Sequence, residues 1–263
     1  FGNASDAKHA EIVWSDASNL FLMGTSNAGA AIKLRSANQS DAVIIDSSQR
    51  VGVGTMSPDT LVEIGNETIL EKTIKLIKKL NLKKILINTH YKRDQLKNFI
   101  EKKNFDIDIE LFEEVPEILN TGGGILNMIM ENKNEYFLTF NPDTLWNENY
   151  IDEILEMENQ FFNSNSKNIL LVVNKDKSFD QNLIGDFNLE ADKLNKTKPL
   201  NFIYTGCQML EKKIFKKFNN KSFPMSEVWN DLLSRNELMG FESKVNFKHV
   251  TNFDIYNKLL KSN

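Results

Sequence analysis

The chain has 263 residues, a formal net charge of −4, three histidines and one cysteine. That length suits one large domain or two, and the charge excludes electrostatic attraction to nucleic acid or to an anionic membrane as the basis of function. The lone Cys207 excludes an intramolecular disulfide, and no apolar run approaches the ~20 residues of a membrane span. With no signal peptide at its opening, the expected location is the cytoplasm. Scattered histidines and one cysteine do not make a Cys/His centre, so any metal is expected on carboxylates, as Mg²⁺.

Composition breaks near residue 64. Residues 1–64 hold nine alanines and two lysines, whereas the rest holds one alanine, Ala191, and 26 lysines. A single mutational habit does not change so abruptly, so the chain reads as two parts of separate history joined near "LVEIG". The join is natural, or it arose by recombination or assembly. In the first part, short β-type runs alternate with Ser, Asn, Gly and Asp: "LFLMG", "AAIKLRS", "AVIID", "RVGVG" and "LVEI". Strands of about five residues are expected. Such a meander has too little apolar area to stand as a lone monomer, so it requires a partner sheet, a second chain or the following domain.

The segment "GVGT" at 52–55 has two readings, a phosphate cradle or a β turn. A cradle needs backbone N–H groups in front of a helix N-terminus, and "MSPD" follows instead. Residues 30–64, "AAIKLRSANQSDAVIIDSSQRVGVGTMSPDTLVEI", resemble the repeat of phage tail-fibre and related structural phage proteins. On that resemblance 1–64 is a β-rich tail-fibre-like segment, "GVGT" is a turn, and self-association through this segment is expected.

After Gly65 the period changes to that of a helix. "ETILEKTIKLIKKL" sets Ile69, Leu70, Ile74, Ile77 and Leu80 on one face. There follow a strand "KKILINTH", a helix "KRDQLKNFIEK", a strand "IDIELFEE", a helix "GGGILNMIMEN", a strand "YFLTF", a helix "NYIDEILEMENQFF" and a strand "NILLVVN". This alternation predicts an α/β domain over 65–263, with a mostly parallel sheet covered on both faces. Ligands of such sheets bind beyond the strands' carboxyl ends. Two segments there carry chemistry. Thr121, Gly122, Gly123 and Gly124 are expected to offer unobstructed N–H groups at a helix start, or else form an ordinary glycine-rich helix entry. Asp143, just past "YFLTF", places a carboxylate where it can hold Mg²⁺ against a phosphate, or else caps a turn. His90 is expected to tether a strand end.

Taken in order, these residues resemble the sugar-1-phosphate nucleotidyltransferases of the GT-A/Rossmann-like fold. The N-acetylmuramate-1-phosphate uridylyltransferase and mannose-1-phosphate guanylyltransferase subgroup is the nearest. "LNTGGGI" matches the family's nucleotide and sugar loop, "TFNPDTLW" falls on its "NGD", and "IGDFNL" and "NFIYTGCQML" match its sugar-phosphate pocket. The resemblance implies nucleotide or sugar contacts at Thr121–Gly124, Thr205 and Gly206, with Mg²⁺ on Asp143. It implies transfer of a nucleotidyl group from a nucleoside triphosphate to a sugar 1-phosphate. The chain departs from the family at its start and near its end. Met56 stands where the glycine-loop arginine belongs, Thr60 precedes Leu61 where "K-P" belongs, and the usual first strand and glycine loop are missing. "HVTNFD" falls on "W-x-D-x-G-T" with Thr251 at the second metal carboxylate, leaving Asn252 or Asp254 as substitutes. No catalytic residue is assigned, and impaired turnover is expected. The alternatives are a non-catalytic sugar-phosphate binding module, or a phage structural protein carrying a truncated enzyme domain.

Overall fold

The computed structural model describes the backbone of 11–15, 20–24, 32–35, 41–45 and 51–53, and residues 61–263 except 91, 165–167, 219–220 and 263. Contacts divide the chain into two units, Phe1–Leu61 and Val62–Asn263. In the first unit β1 (Glu11–Ser15) pairs antiparallel with β2 (Leu20–Gly24). A second antiparallel sheet joins β3 (Ile32–Arg35), β4 (Asp41–Ile45) and β5 (Val51–Val53). Gly54, Thr55, Met56 and Thr60 lie outside the described residues, so the expectations placed on them and on the tail-fibre repeat end with the sequence.

The second unit opens with a tight hairpin. β6 (Glu63–Ile64) pairs with β7 (Glu67–Thr68) around Gly65, whose φ of +72° suits a residue without Cβ. Thr68 then caps α1 (Ile69–Lys79) by accepting from the Glu71 N–H at 3.0 Å. The apolar residues of α1 serve three clusters rather than the single face expected: Ile74 and Ile77 pack with Ile85, Leu76 joins Trp146 and Tyr150, and Ile69 packs with Ile64 and Leu145. Glu71, nearly buried on the same helix, is paired with Lys103 at 3.1 Å.

β8 (Lys84–Thr89) and β9 (Asp108–Glu113) form a two-stranded parallel sheet, with α2 (Arg93–Lys103) between them in the chain. Next come α3 (Asn120–Ile129), β10 (Tyr136–Phe140), α4 (Tyr150–Asn163) and β11 (Asn168–Asn174). β12 (Asn188–Glu190) and β13 (Lys193–Asn195) make a hairpin, and β14 (Phe202–Glu211) is the long central strand. The unit closes with α5 (Met225–Ser234), β15 (Met239–Ser243) and α6 (Phe253–Ser262). The larger sheet runs β10-β14-β11-β15-β13-β12. β14 is antiparallel to both β10 and β11, and β11 is parallel to β15. Thus β10, β11 and β15 share one direction, as the α/β reading expects, and β14 opposes them.

Side-chain alternation on β11 sorts the two layers. Leu170 and Val172 face the core with Val228 and Leu232 of α5, whereas Ile169 and Leu171 face Tyr150, Ile154 and Phe161. Helices therefore cover both faces of the sheet. Among the described residues no strand joins β8 to β10, and the β8-β9 pair stays a ladder separate from the larger sheet.

Candidate functional site

The carboxyl ends of β10 and β15 lead into two segments that lie against each other. Past β10 come Asn141, Pro142, Asp143, Thr144, Leu145 and Trp146, and past β15 the chain reaches Lys248, His249 and Val250. Leu145 N–H donates to Lys248 O at 2.8 Å, and Val250 N–H donates to Asp143 O at 2.9 Å, about a β bridge between Thr144 and His249. The loop is tied on its other side to β14. Asn141 N–H donates to Gly206 O at 2.8 Å, and the Thr144 hydroxyl donates to Thr205 O at 2.7 Å. Trp146 Nε1 closes the turn by donating to Asn141 O at 2.8 Å. Four hydrogen bonds to β14 and to the 248–250 segment, with one more inside the loop, leave little freedom for Asp143. From outside, Ile255 and Leu259 of α6 pack on Leu145.

Asp143 presents two unlike oxygens. Oδ2 lies 3.0 Å from His249 Nε2, and Oδ1 is buried with no hydrogen-bond partner among the described residues. A buried acceptor without a donor costs stability of about 1–3 kcal/mol. The His249 ring stacks on Phe247, with centroids 5.6 Å apart, which fixes its plane. Behind the same loop is a cavity of about 610 Å³ whose lining includes Lys72, Trp146, Asn149, Glu153, Lys244 and Lys248. Among the described residues no three His, Cys, Asp or Glu side chains gather around one point.

The remaining residues singled out in the sequence are placed as follows. Thr205 is fully buried and its hydroxyl donates to Leu171 O at 2.8 Å, so its side chain faces the sheet. Gly206, at φ +94°, lets Asn141 approach, since a Cβ there would lie 2.8 Å from Asn141 Cβ. These two residues hold the Asp143 loop.

The glycine run differs from its expectation of outward, unobstructed N–H groups. Gly122 and Gly123 both donate to Phe223 O, at 2.9 and 3.0 Å, and Thr121 Oγ1 accepts from Met225 N–H at 2.8 Å. A Cβ on Gly123 would lie 2.2 Å from Lys221 O, and one on Gly124 would lie 2.5 Å from Glu114 Oε1. The run seats α3 against the segment leading into α5 and against Glu114. Buried Glu114 in turn accepts from Asn88 Nδ2 and from Leu119 N–H, both at 2.8 Å. His90 Nδ1 lies 2.6 Å from Glu114 O, the strand-end tether expected of it.

At the other end, the Thr251 hydroxyl donates to Asp180 Oδ2 at 2.7 Å, and Asp254 stands in the first turn of α6. The residue against Asp143 is His249. It stands two positions before Thr251, where the family resemblance places the second metal carboxylate. The available signal was a ligand-type side chain in "KHVTN".

No protein-family profile matches the chain, and no curated protein sequence matches it. Solved structures do. HddC from Yersinia pseudotuberculosis superposes with a TM-score of 0.62 at 19% identity, over 80% of this chain and 92% of that one. A glucose-1-phosphate thymidylyltransferase from Bacillus anthracis gives 0.62 at 12% identity, over 78% and 86%. A UDP-glucose pyrophosphorylase gives 0.59 at 12% identity, over 77% and 88%. The fold is thus the α/β fold of sugar-phosphate nucleotidyltransferases.

Proposed function

We propose that this chain binds a nucleoside triphosphate and a sugar 1-phosphate and transfers the nucleotidyl group between them, at reduced turnover. The observation that carries the reading is Asp143. Its loop is clamped at the carboxyl end of β10, with one carboxylate oxygen buried and unpartnered among the described residues. Fold neighbours support it, since one was solved as HddC complexed with GMP-PN and another as UDP-glucose pyrophosphorylase complexed with UDP-glucose.

In the proposed reaction a phosphate oxygen of the sugar 1-phosphate forms a bond to the α-phosphorus of the triphosphate. The bond from that phosphorus to the bridging oxygen of pyrophosphate breaks, and the electron pair leaves with pyrophosphate. No covalent intermediate on the chain is required, so positioning and charge neutralisation carry the rate. The donor set fits a divalent cation, with Asp143 as its carboxylate. When bound, such an ion neutralises charge on the α-phosphate and the leaving group. The chain's own part is to hold that carboxylate still, through Thr144, Asn141 and Trp146, and to shape the floor beside it through Gly206. Met56 and Thr60, where the family resemblance implies cationic groups, supply none, and each lost donor of that kind reduces turnover by about 10²–10³.

A second reading has its own support. Because Gly122 and Gly123 spend their N–H groups on Phe223, those two donors are not available to phosphate, which favours a module that binds sugar phosphate without turnover.

Calorimetric titration with UTP and GTP, with and without divalent cation, tests the proposal, followed by pyrophosphate release in the presence of sugar 1-phosphates. Cation-dependent saturable binding with slow release of pyrophosphate is expected. Binding of sugar 1-phosphate alone would favour the second reading, and no binding of either by folded protein would sink both.

A further inference from the structure

We infer that the cavity behind the Asp143 loop is a second site, which binds a phosphorylated small molecule on the ammonium groups of Lys72, Lys244 and Lys248. The inference stands apart from the nucleotidyl-transfer reading, since none of Asp143, Gly206 and His249 lines this cavity.

The cavity has the size and the charge for such a ligand. Its volume of about 610 Å³ lies in the range of sites for small organic molecules. The chain as a whole has a net charge of −4, yet this wall sets three lysines against one carboxylate, Glu153. That carboxylate is already engaged, with Oε1 accepting from the Lys244 N–H at 2.7 Å and Oε2 from the Ser243 hydroxyl at 2.5 Å. It ties the end of β15 to α4. Ammonium groups gathered around one partly enclosed space raise its potential and favour an anion there.

The lysines are weakly committed elsewhere. Glu67 lies 3.9 Å from Lys72 but is taken up by Lys75 at 2.5 Å. Lys244 pairs with Glu242 in an exposed position, where ion pairs are weak and exchange readily. Among the described residues no carboxylate lies within ion-pair distance of Lys248, whose ammonium stands 5.9 Å from the centre of the Phe179 ring.

Amide groups complete the wall. An asparagine at a helix N-cap ordinarily accepts from the first turn, but the Asn149 side chain makes no such bond to α4 and is left to the cavity. Asn147 gives its Oδ1 to the Asn149 N–H at 3.0 Å, which leaves its amide NH₂ as a donor. Ammonium and amide donors suit phosphate oxygens, and Leu145, Trp146 and Val245 offer an apolar surface to the rest of the ligand. The occupant braces the Asp143 loop from its reverse side, because Leu145 N–H donates to Lys248 O and Trp146 Nε1 donates to Asn141 O.

The test is calorimetric titration of the full chain with ADP and with pyrophosphate, in EDTA at low salt. One saturable molecule per chain is expected, bound more weakly as NaCl rises. Lys72→Ala and Lys248→Ala should each weaken it about tenfold, as loss of a charged donor does. Their ligand-free thermal melts should match the parent's, since the Lys248 carbonyl still receives Leu145. Asp143→Ala should bind like the parent, and so should Lys83→Ala, which removes an exposed lysine outside the wall. ADP bound more tightly than pyrophosphate assigns the site to an organic phosphate, and equal affinities assign it to inorganic polyphosphate. No saturable binding, binding that survives both wall variants, or an equal loss in Lys83→Ala would overturn the inference. A loss in Asp143→Ala would overturn it too, by returning the ligand to the nucleotide site. The nucleotidyl-transfer reading requires a cation and Asp143, so its failure in UTP and GTP titrations would leave this result standing.

Discussion

The Thr144 hydroxyl donates to the Thr205 carbonyl across 2.7 Å, and this bond couples the loop that carries Asp143 to the central strand β14. Both residues are buried, so water cannot replace the donor if it is removed. Thr144→Val keeps the shape and deletes the hydroxyl. It should cost about 1–3 kcal/mol, because the Thr205 carbonyl is left without that donor. It should also weaken cation-dependent nucleotide binding, because Asp143 loses one of its clamps. Urea denaturation and calorimetric titration of the same protein measure the two effects.

Gly123→Ala tests whether the glycine run is a packing device. The new methyl group would sit 2.2 Å from Lys221 O and would force α3 away from that backbone. Overpacking of this kind costs about 1–3 kcal/mol, and here the obstacle is main chain, which yields least. The urea midpoint should fall accordingly. An unchanged midpoint with lost nucleotide affinity would instead restore the run to the ligand site.

These two residues show what a sequence makes legible. The helices and strands from Ile69 to Asn174 announce themselves through period 3.6 and short apolar runs, and each lies where its pattern placed it. Asp143 was legible because a buried strand ends just before it. The fate of the Gly122 and Gly123 N–H groups was not, since their acceptor is the carbonyl of Phe223, a hundred residues later. His249 was hidden for the same reason. Its partner is set by the register between 143–145 and 248–250, which no local pattern encodes, and a two-residue slip moves attention to Thr251.

Thr251 itself yields a prediction about acid stability. Its hydroxyl donates to Asp180, and that bond, chiefly, holds the Asp180 carboxyl below its ordinary range against the opposing effect of burial. A carboxylate with a lowered folded pKa contributes stability above its unfolded pKa, near 3.9, and loses it as pH falls through the folded value. Thr251→Val should therefore cost about 1–2 kcal/mol at neutral pH and move the onset of acid unfolding to higher pH. Denaturation melts between pH 2 and pH 7 measure the shift. Cation-dependent nucleotide binding should be unchanged, because Thr251 belongs to Asp180 and not to Asp143.

Asp143→Ala separates site from scaffold. In most clamped positions truncation weakens the fold, but the side chain of Asp143 contributes little to it. Among the described residues its Oδ1 is buried without a donor, and its Oδ2 has a partly exposed partner in His249. Removing the first relieves an unfavourable burial of about 1–3 kcal/mol, and losing the second costs about 0–1 kcal/mol. The backbone bonds at 141–146 do not depend on the side chain and remain. The variant should therefore be as stable as the parent or slightly more stable, while cation-dependent nucleotide binding is lost. Paired urea and calorimetric titrations settle the point. A variant that melts well below the parent would make Asp143 a structural residue. One that binds nucleotide unchanged would remove it from the site. Retained stability with abolished binding is what a residue held for function rather than for folding produces.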